Sequence, residues 1–500
     1  MCEPKRLHPV TVIFNMIRFV KEAALGLLGI GVIAIKDGAF FYIGIAVVVL
    51  ITIIIVSSLL AWYRFTYEVS EDELRVKYGV FIRKKRYISK NRIQSIDLTQ
   101  SVIHRIFGLV SVEIETAGSG SDKEASLKAV TYADGVNIRN QLKYGATTDT
   151  GDADAMSESE PVLTEDTPHV LHAEKVTFRQ LFIAGTTSGS LGVLLALGGI
   201  AFSELEQFIP EHVYDEAWGW IVAQSIAIIV ALVGLIFFVL WLLGIAGTMI
   251  KYGNFTISRH ADDLFITRGL LEKKQITIPL KRIQAIGFKQ SLLRQPFGYG
   301  TVYAEIAGGS LDDNREFSTI LFPIMKKKHV NRFLKNVLPE TAVMPETYNS
   351  VPARSRKFYV IRMILFPLAL FVPVLIYARS FWWVPGLLLV GACILGFKRH
   401  RDAGVQRENK WLHIRTRGFA LNHVVMHHKR IQAFEKRQHL IQKHQALATM
   451  EVSIVGMAAG GRHYAVLDMD DLEADTLSDW FSHRKEDGDA MRIKGSFTDQ

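Results

Sequence analysis

One short segment occurs three times in this chain: Lys90-Asn91-Arg92-Ile93-Gln94-Ser95-Ile96, Leu280-Lys281-Arg282-Ile283-Gln284-Ala285-Ile286 and His428-Lys429-Arg430-Ile431-Gln432-Ala433-Phe434. The spacings are 282 − 92 = 190 and 430 − 282 = 148 residues. The flanks keep the same register. Gln100-Ser101 recurs as Gln290-Ser291 and Gln438-His439, Phe107-Gly108 as Phe297-Gly298, and Glu115-Thr116-Ala117-Gly118 as Glu305-Ile306-Ala307-Gly308. Gly79 has a counterpart in Gly269 and, one residue out of step, in Gly418. The third copy is looser, with Gln445-Ala446 in place of Phe107-Gly108 and Ser453 in place of Glu115. Such self-similarity marks a repeated structural unit and constrains the fold before any other signal. Each unit covers about 75–90 residues, the size of a small domain.

Within a unit the pattern is strand-like and then helical. Leu74, Val76 and Tyr78 alternate with polar residues, as do Val110, Val112 and Ile114, the period of half-buried strands. Each unit closes with an amphipathic segment: Asp134–Tyr144, Met325–Leu338 and Asp471–His483. Short strands followed by one helix predict an antiparallel α+β module.

Between the modules lie long apolar runs. The chain is 49% hydrophobic with 21% charged residues, and the charge is dense between these runs and nearly missing within them. Runs of about 20 apolar residues predict membrane spans. The runs pair as helical hairpins, with six spans expected: about Ile17–Ile35 and Ala39–Tyr63, Leu181–Phe202 and Ala217–Ile250, Phe358–Ala378 and Phe381–Phe397. Pro367, Pro373 and Pro385 are expected to kink or break the last two, and Arg362 to snorkel from a helix end. The organisation is hairpin 12–63, module 64–145, acidic linker 146–175, hairpin 178–250, module 251–339, linker 340–357, hairpin 358–397, module 398–484 and tail 485–500. The linker from Ala146 to Thr167 holds seven acids and no Lys or Arg, a composition expected to be disordered. A signal-peptide reading of the N-terminus fails for want of a cleavage site. The two cysteines, Cys2 and Cys393, cannot form a disulfide framework.

The net charge is +9. Lys and Arg gather on the module side of every hairpin, so the modules and both termini are expected in the cytoplasm of a bacterial cell.

The segment Arg92-Ile93-Gln94-Ser95-Ile96, followed by Phe107-Gly108 and a strand ending Glu115-Thr116-Ala117-Gly118, resembles the bacterial pleckstrin-homology-like domain, in the membrane-protein branch called YdbT-like. The resemblance implies a bent antiparallel sheet or partly open barrel capped by a C-terminal helix, placed after a pair of transmembrane helices. It implies no catalysis, and it suggests a part in cell-envelope stress or antimicrobial resistance. The fold class expected is therefore an α-helical membrane protein of three hairpins alternating with three small α+β modules.

Two groups of residues are candidates for chemistry. Arg83-Lys84-Lys85-Arg86 is a basic cluster suited to the anionic inner leaflet, where each charge is worth about 1 kcal/mol. The repeated Arg92, Arg282 and Arg430 could hold anions, but a structural role is preferred: pairing within the module, with Glu115 and Glu305 as partners, while Gln94, Gln284 and Gln432 satisfy strand backbone. His423 and His427 stand four residues apart, a spacing that would hold a metal on a helix; the repeat register places them on a strand or turn instead. Phosphate loops and catalytic motifs are missing from the sequence. The reading is a non-enzymatic scaffold or lipid- or protein-binding component without cofactor or metal. Its partners would be anionic lipid and another membrane protein or a second copy, with no role for nucleic acid. A transporter or channel component is the alternative.

Overall fold

The computed structural model describes residues 4–20, 40–70, 72–116, 125–144, 170–189, 225–308, 318–456 and 461–482, with single positions and short runs elsewhere between 22 and 220. The acidic stretch Ala146–Thr167, most of the first expected span, most of the acidic loop after Phe202 and the tail lie outside the described residues, while the end of the linker expected over 146–175 holds a strand at His172–Lys175. Two compact units emerge: Met1–Leu171 with Asn254–Pro279, and His172–Gly253 with Leu280–Gln500.

The first unit begins with β1 (Lys5–Arg6) and the helix α1 (Phe40–Arg64). At 1.5 Å per residue, α1 is about 37 Å long, enough to cross a hydrocarbon core. Then come β2 (Thr66–Val69), β3 (Glu73–Tyr78), β4 (Lys84–Ser89), β5 (Ile93–Gln100), the short α2 (Val102–Ile106), β6 (Leu109–Thr116), β7 (Ala125–Thr131) and the closing helix α3 (Tyr132–Tyr144). The strands β1-β2-β3-β4 form one antiparallel sheet in that order. Its inner residues Leu74, Val76 and Ile88 pack against Ile96, Leu98, Val112 and Ile114 of the next sheet, and Ile138 and Leu142 of α3 close the core. From Val110 to Thr116 of β6 every second residue is buried, as a half-buried strand requires.

The second unit holds β8 (His172–Lys175), α4 (Phe178–Thr186) and α5 (Ile226–Tyr252). In the first unit the chain continues as β9 (Thr256–Arg259), β10 (Asp263–Arg268) and β11 (Lys273–Pro279), and in the second as β12 (Ile283–Gln290), β13 (Tyr299–Ile306), β14 (Thr319–Lys326) and α6 (Lys327–Val337). The rest of the second unit is β15 (Asn349–Ser350), α7 (Arg356–Tyr377), α8 (Trp383–Asp402), β16 (Gly404–Glu408), β17 (Trp411–Arg417), β18 (Leu421–His427), β19 (Ile431–Arg437), α9 (Leu440–His444), β20 (Leu447–Ile454), β21 (Arg462–Asp470) and α10 (Asp471–Ser482).

The repeats are joined through their sheets. In the first unit the strand order runs β7-β6-β5-β11-β10-β9, so the second sheet of repeat one continues edge to edge into the first sheet of repeat two. In the second unit the order β14-β13-β12-β18-β17-β16-β15 joins repeats two and three in the same way. The strands equivalent to those that make the joints, β4 on the opening sheet and β19 on the closing sheet β19-β20-β21, stand at sheet ends.

Three described helices are long and apolar enough to cross a membrane: Gly44–Arg64, Ile226–Tyr252 and Ala353–Tyr377. The apolar runs are cut differently from expectation. The run from Leu181 is interrupted, since α4 ends at Thr186 and Thr187 caps it. In the long run from Ala217, Gly219 and Trp220 are helical, and the helix α5 starts afresh at Ile226 with Ser225 extended at its N-cap. Neither Pro367 nor Pro373 breaks α7, and Pro385 sits in the first turn of α8, where a missing N–H costs nothing. Arg362 does not snorkel from a helix end. It lies on the second turn of α7 and pairs with the buried carboxylate of Asp468 on β21, while the Tyr359 hydroxyl donates to the Leu467 carbonyl at 2.6 Å. The third hairpin is thus bolted to its module. Helices α7 and α8 touch closely because position 396 is Gly: a Cβ there would stand 2.8 Å from the Val360 Cα.

Candidate functional site: a basic hairpin tip at the end of a membrane-length helix

The Arg-Ile-Gln segment builds a corner. In each repeat it forms a 3-10 turn, Lys90–Arg92, Leu280–Arg282 and His428–Arg430, followed at once by a strand. In each repeat the strand register then slips, between Ile93 and Ser95, Ile283 and Ala285, and Ile431 and Ala433. The repeated Gln94, Gln284 and Gln432 are therefore the bulge residues that bend the chain from one sheet to the next. Gln284 is buried and donates to the Arg282 carbonyl at 2.9 Å, and the Arg282 Nε donates to the Ala307 carbonyl at 2.9 Å. Glu305 is not the partner expected for Arg282: it accepts from the Tyr464 hydroxyl at 2.8 Å and faces Arg462 at 3.5 Å. Burial pushes the Glu305 carboxyl upward against those two partners. Arg92 and Gln432 are exposed, while Gln94 and Arg430 are half-buried.

A second repeated residue has a clearer structural task. The side-chain amides of Gln100, Gln290 and Gln438 donate to the carbonyls of Leu109, Tyr299 and Leu447, at 2.9, 3.0 and 2.9 Å. Each bond ties the end of one strand to the start of the next. Between them the chain turns through a left-handed residue, Gly108 at φ +64°, Gly298 at φ +67° and Ala446 at φ +49°. The third copy keeps the turn although it has lost the glycine.

The basic cluster lies elsewhere, on the β3–β4 hairpin. Gly79 turns with φ +114°, and a Cβ there would collide with the Ile82 carbonyl oxygen, so only glycine fits. The tip that follows is apolar and bare: Phe81 is 98% and Ile82 74% exposed. Arg83, Lys84, Lys85 and Arg86 come next, all exposed, with Lys85 opposite Lys77 in the ladder. Like charges directly across a ladder repel. Arg64, the last residue of α1, donates to the carbonyl of Val80. The tip is thereby held at the end of a membrane-length helix. Trp62 and Tyr63 are fixed there too, Trp62 Nε1 donating to the Leu7 carbonyl at 2.8 Å and Arg6 lying 4.7 Å over the Tyr63 ring.

The same hairpin in the other repeats has an apolar tip without the basic cluster. Gly269 at φ +105° leads into the exposed Leu270 and Leu271, and Arg105 Nη1 donates to the Leu270 carbonyl at 2.6 Å. In repeat three the tip is Phe419, 71% exposed, next to Arg417, which pairs with Asp402 at the end of α8. These tips leave no mark in the hydrophobic pattern, because one to three apolar residues in a glycine-led turn carry no periodicity. His423 and His427 lie on β18, where a spacing of four residues separates them by about 13 Å. Among the described residues no cluster of His, Cys, Asp or Glu could hold a metal.

The family model for the bacterial PH domain matches residues 24–146, 218–341 and 363–485. The chain belongs to the bacterial PH domain family. Each match begins in an apolar run and ends just past a closing helix, so the unit of the bacterial PH family here is helix plus module. The chain is also 31% identical over 494 residues, 98% of its length and 100% of the relative's, to the UPF0699 transmembrane protein YdbT of Bacillus subtilis (strain 168). No solved structure matches.

Proposed function

We propose that this protein is a non-enzymatic scaffold of the bacterial cytoplasmic membrane. It holds three PH-like modules on the cytoplasmic face, rests the first on anionic lipid, and offers the remaining surfaces to another membrane protein or a second copy. The observation that supports this reading is the hairpin tip of module one. Arg64 ties it to the end of α1, its apolar Phe81 and Ile82 are bare, and four basic residues follow. Burying a Phe or Ile side chain is worth about 1.5–3 kcal/mol, and each basic residue at the leaflet about 1 kcal/mol, weakened by salt. Together these orient a domain that α1 already tethers. Arg362, a charge that a pore could line itself with, is committed instead to Asp468.

The test uses the full chain in lipid nanodiscs, with Cys2 and Cys393 replaced by Ser and an environment-sensitive dye on Phe81→Cys. Brominated acyl chains should quench the dye when phosphatidylglycerol is present. Serine at positions 83–86 should weaken that quenching. A dye that stays in water under all lipid compositions would remove the lipid contact from this reading. Reporter fusions after Gly145 and Gln500 should report cytoplasm, and one within 204–216 the outside. A strain lacking the protein, challenged with membrane-active peptides, tests the envelope-defence role.

A further inference from the structure

A cleft of about 650 Å³ opens at the start of α6, lined by Lys326, Lys327, Lys328, Met344, Glu346 and His423 among others. All of these lie within the second unit. Two independent features make it unusual.

The first is its charge. The N-terminus of a helix is its positive end and favours acids. The closing helices α3 and α10 follow this, with Asp134 in one first turn and Asp471 and Glu473 in the other. Helix α6 has no acid in its first turn and no side-chain cap, and it opens with Lys327 and Lys328 after Lys326. Three ammonium groups thus stand at the positive end of a dipole, each one unfavourable there. One acid, Glu346, faces the same cleft, and the lysines outnumber it.

The second is an orphaned donor or acceptor. His423 is 2% exposed and lines the cleft. Its Nδ1 lies 3.1 Å from the Tyr348 hydroxyl, and its Nε2 is buried without a hydrogen-bond partner. A buried polar atom left unpaired is costly. Burial, together with Lys327, Arg415 and Arg417, holds the ring neutral. The tautomer in which the Tyr348 hydroxyl donates to Nδ1 puts the ring proton on Nε2, where it needs an acceptor.

Lysines, helix amides and a buried imidazole N–H are all donors. They outnumber the acceptors of a carboxylate and suit the oxygens of a phosphate. Beside them, the exposed Phe297 together with Met344 and Pro345 gives an apolar shelf for an organic substituent. The Lys327 amide already donates to the Gly298 carbonyl at 2.9 Å. We propose that this cleft binds a phosphate ester, with the Lys327 and Lys328 ammonium groups and the Lys328 and His329 amides of α6 on the phosphate and the His423 imidazole as the buried donor. The proposal stands apart from the lipid contact of the β3–β4 tip.

The test is the thermal unfolding midpoint of the full chain in phosphatidylcholine nanodiscs. Inorganic phosphate and glycerol phosphate should each raise it by several degrees over chloride at equal ionic strength, glycerol phosphate more. The variant K327Q/K328Q should unfold at the same or a higher temperature without phosphate, since it removes charges from the wrong helix end, and should lose most of the rise. K327R/K328R should keep it. No rise over chloride in the parent protein, or an undiminished rise in K327Q/K328Q, would overturn the proposal. Discs containing phosphatidylglycerol identify the source. If a lipid headgroup fills the cleft, the midpoint is already raised there in a manner that depends on Lys327 and Lys328, and glycerol phosphate adds nothing. If the ligand is soluble, the rise with glycerol phosphate persists.

Discussion

The chain joins its repeats twice by the same device, and the two joints differ. The first, between β5 and β11, has three register pairs: Lys273 with Gln100, Lys274 with Thr99, and Gln275 with Leu98. Beyond them a side chain takes over from the ladder, as Asp97 accepts the Thr277 amide at 3.0 Å and the Thr277 hydroxyl donates to the Ile96 carbonyl at 3.2 Å. The second joint, between β12 and β18, has six pairs, from Ala285 with Met426 to Gln290 with Leu421. Its centre sets the fully buried Phe288 opposite His423, and the Tyr303 hydroxyl of β13 donates to Asn422 at 2.9 Å. One joint is short and polar, the other long and apolar. Two repeats can share a fold and an assembly mode while their contact residues diverge, because backbone pairing sets the geometry and side chains only set its strength.

The largest way to break the comparison is at the apolar joint. Phe288→Ala removes a fully buried aromatic and should cost about 3–5 kcal/mol, read as loss of hydrogen-exchange protection along β12 and β18 with β5 and β11 unaffected. Equal loss at both joints would show that they unfold as one.

The joints should also answer acid in opposite senses. Burial pushes the Asp97 carboxyl up to about 7, with Glu115 adding to this while the Thr277 amide and Lys274 oppose it. The folded state then binds a proton that the unfolded chain releases until near pH 4, so the first joint gains stability as pH falls from 7 toward 4. Burial pushes His423 down to about 3 and His413 on β17 down to about 4. There the unfolded chain binds the proton first, and stability is lost as pH falls below about 6.5. By pH 5 the loss is on the order of 2 kcal/mol for each fully buried histidine. Exchange protection measured at pH 7.5 and pH 5 should rise at the first joint and fall at the second. Asp97→Asn should flatten the first trend only.

Smaller effects sharpen the picture inside single repeats. Gln100→Ala, Gln290→Ala and Gln438→Ala should each cost about 1 kcal/mol, the scale of one hydrogen bond, with similar values despite the different joints. Ala446→Gly relieves a left-handed residue and should stabilise repeat three by less than about 1 kcal/mol, whereas Gly108→Ala and Gly298→Ala should destabilise.

Much of this fold was legible in the sequence for a specific reason. The repeat of Arg92-Ile93-Gln94 fixed the number of modules, and the alternation in β3 and β6 fixed their strands. The joints were not legible. Leu98 and Gln275 pair across 275 − 98 = 177 residues, and nothing in either strand's alternation names a partner. The basic cluster was readable as charge, but its edge position on β4 and the bare Phe81 beside it were not. His423 drew notice for a metal through its neighbour His427, while its orphaned Nε2 depends on a cleft built from α6 and the segment after it, which local spacing cannot reveal.

The order of synthesis gives the joints a further meaning. A strand edge must wait on the ribosome until its partner emerges. For β5 the wait ends with β11, 279 − 100 = 179 residues later, about 9–36 s at 5–20 residues per second. For β12 it ends with β18, 427 − 290 = 137 residues later, about 7–27 s at the same rates. The edge that waits longer is the polar one, guarded by Asp97, Thr99 and Gln100, since a charge turned toward the joint deters false pairing. The apolar edge waits less. The joint-type edges left over among the described strands, β4 and β19, carry Lys84, Lys85 and Arg86 on one and Glu435, Lys436 and Arg437 on the other. A chain cut after the second repeat would keep Ile286 and Phe288 on an edge with nothing to follow, and the nascent protein would reach the cell as an aggregation seed.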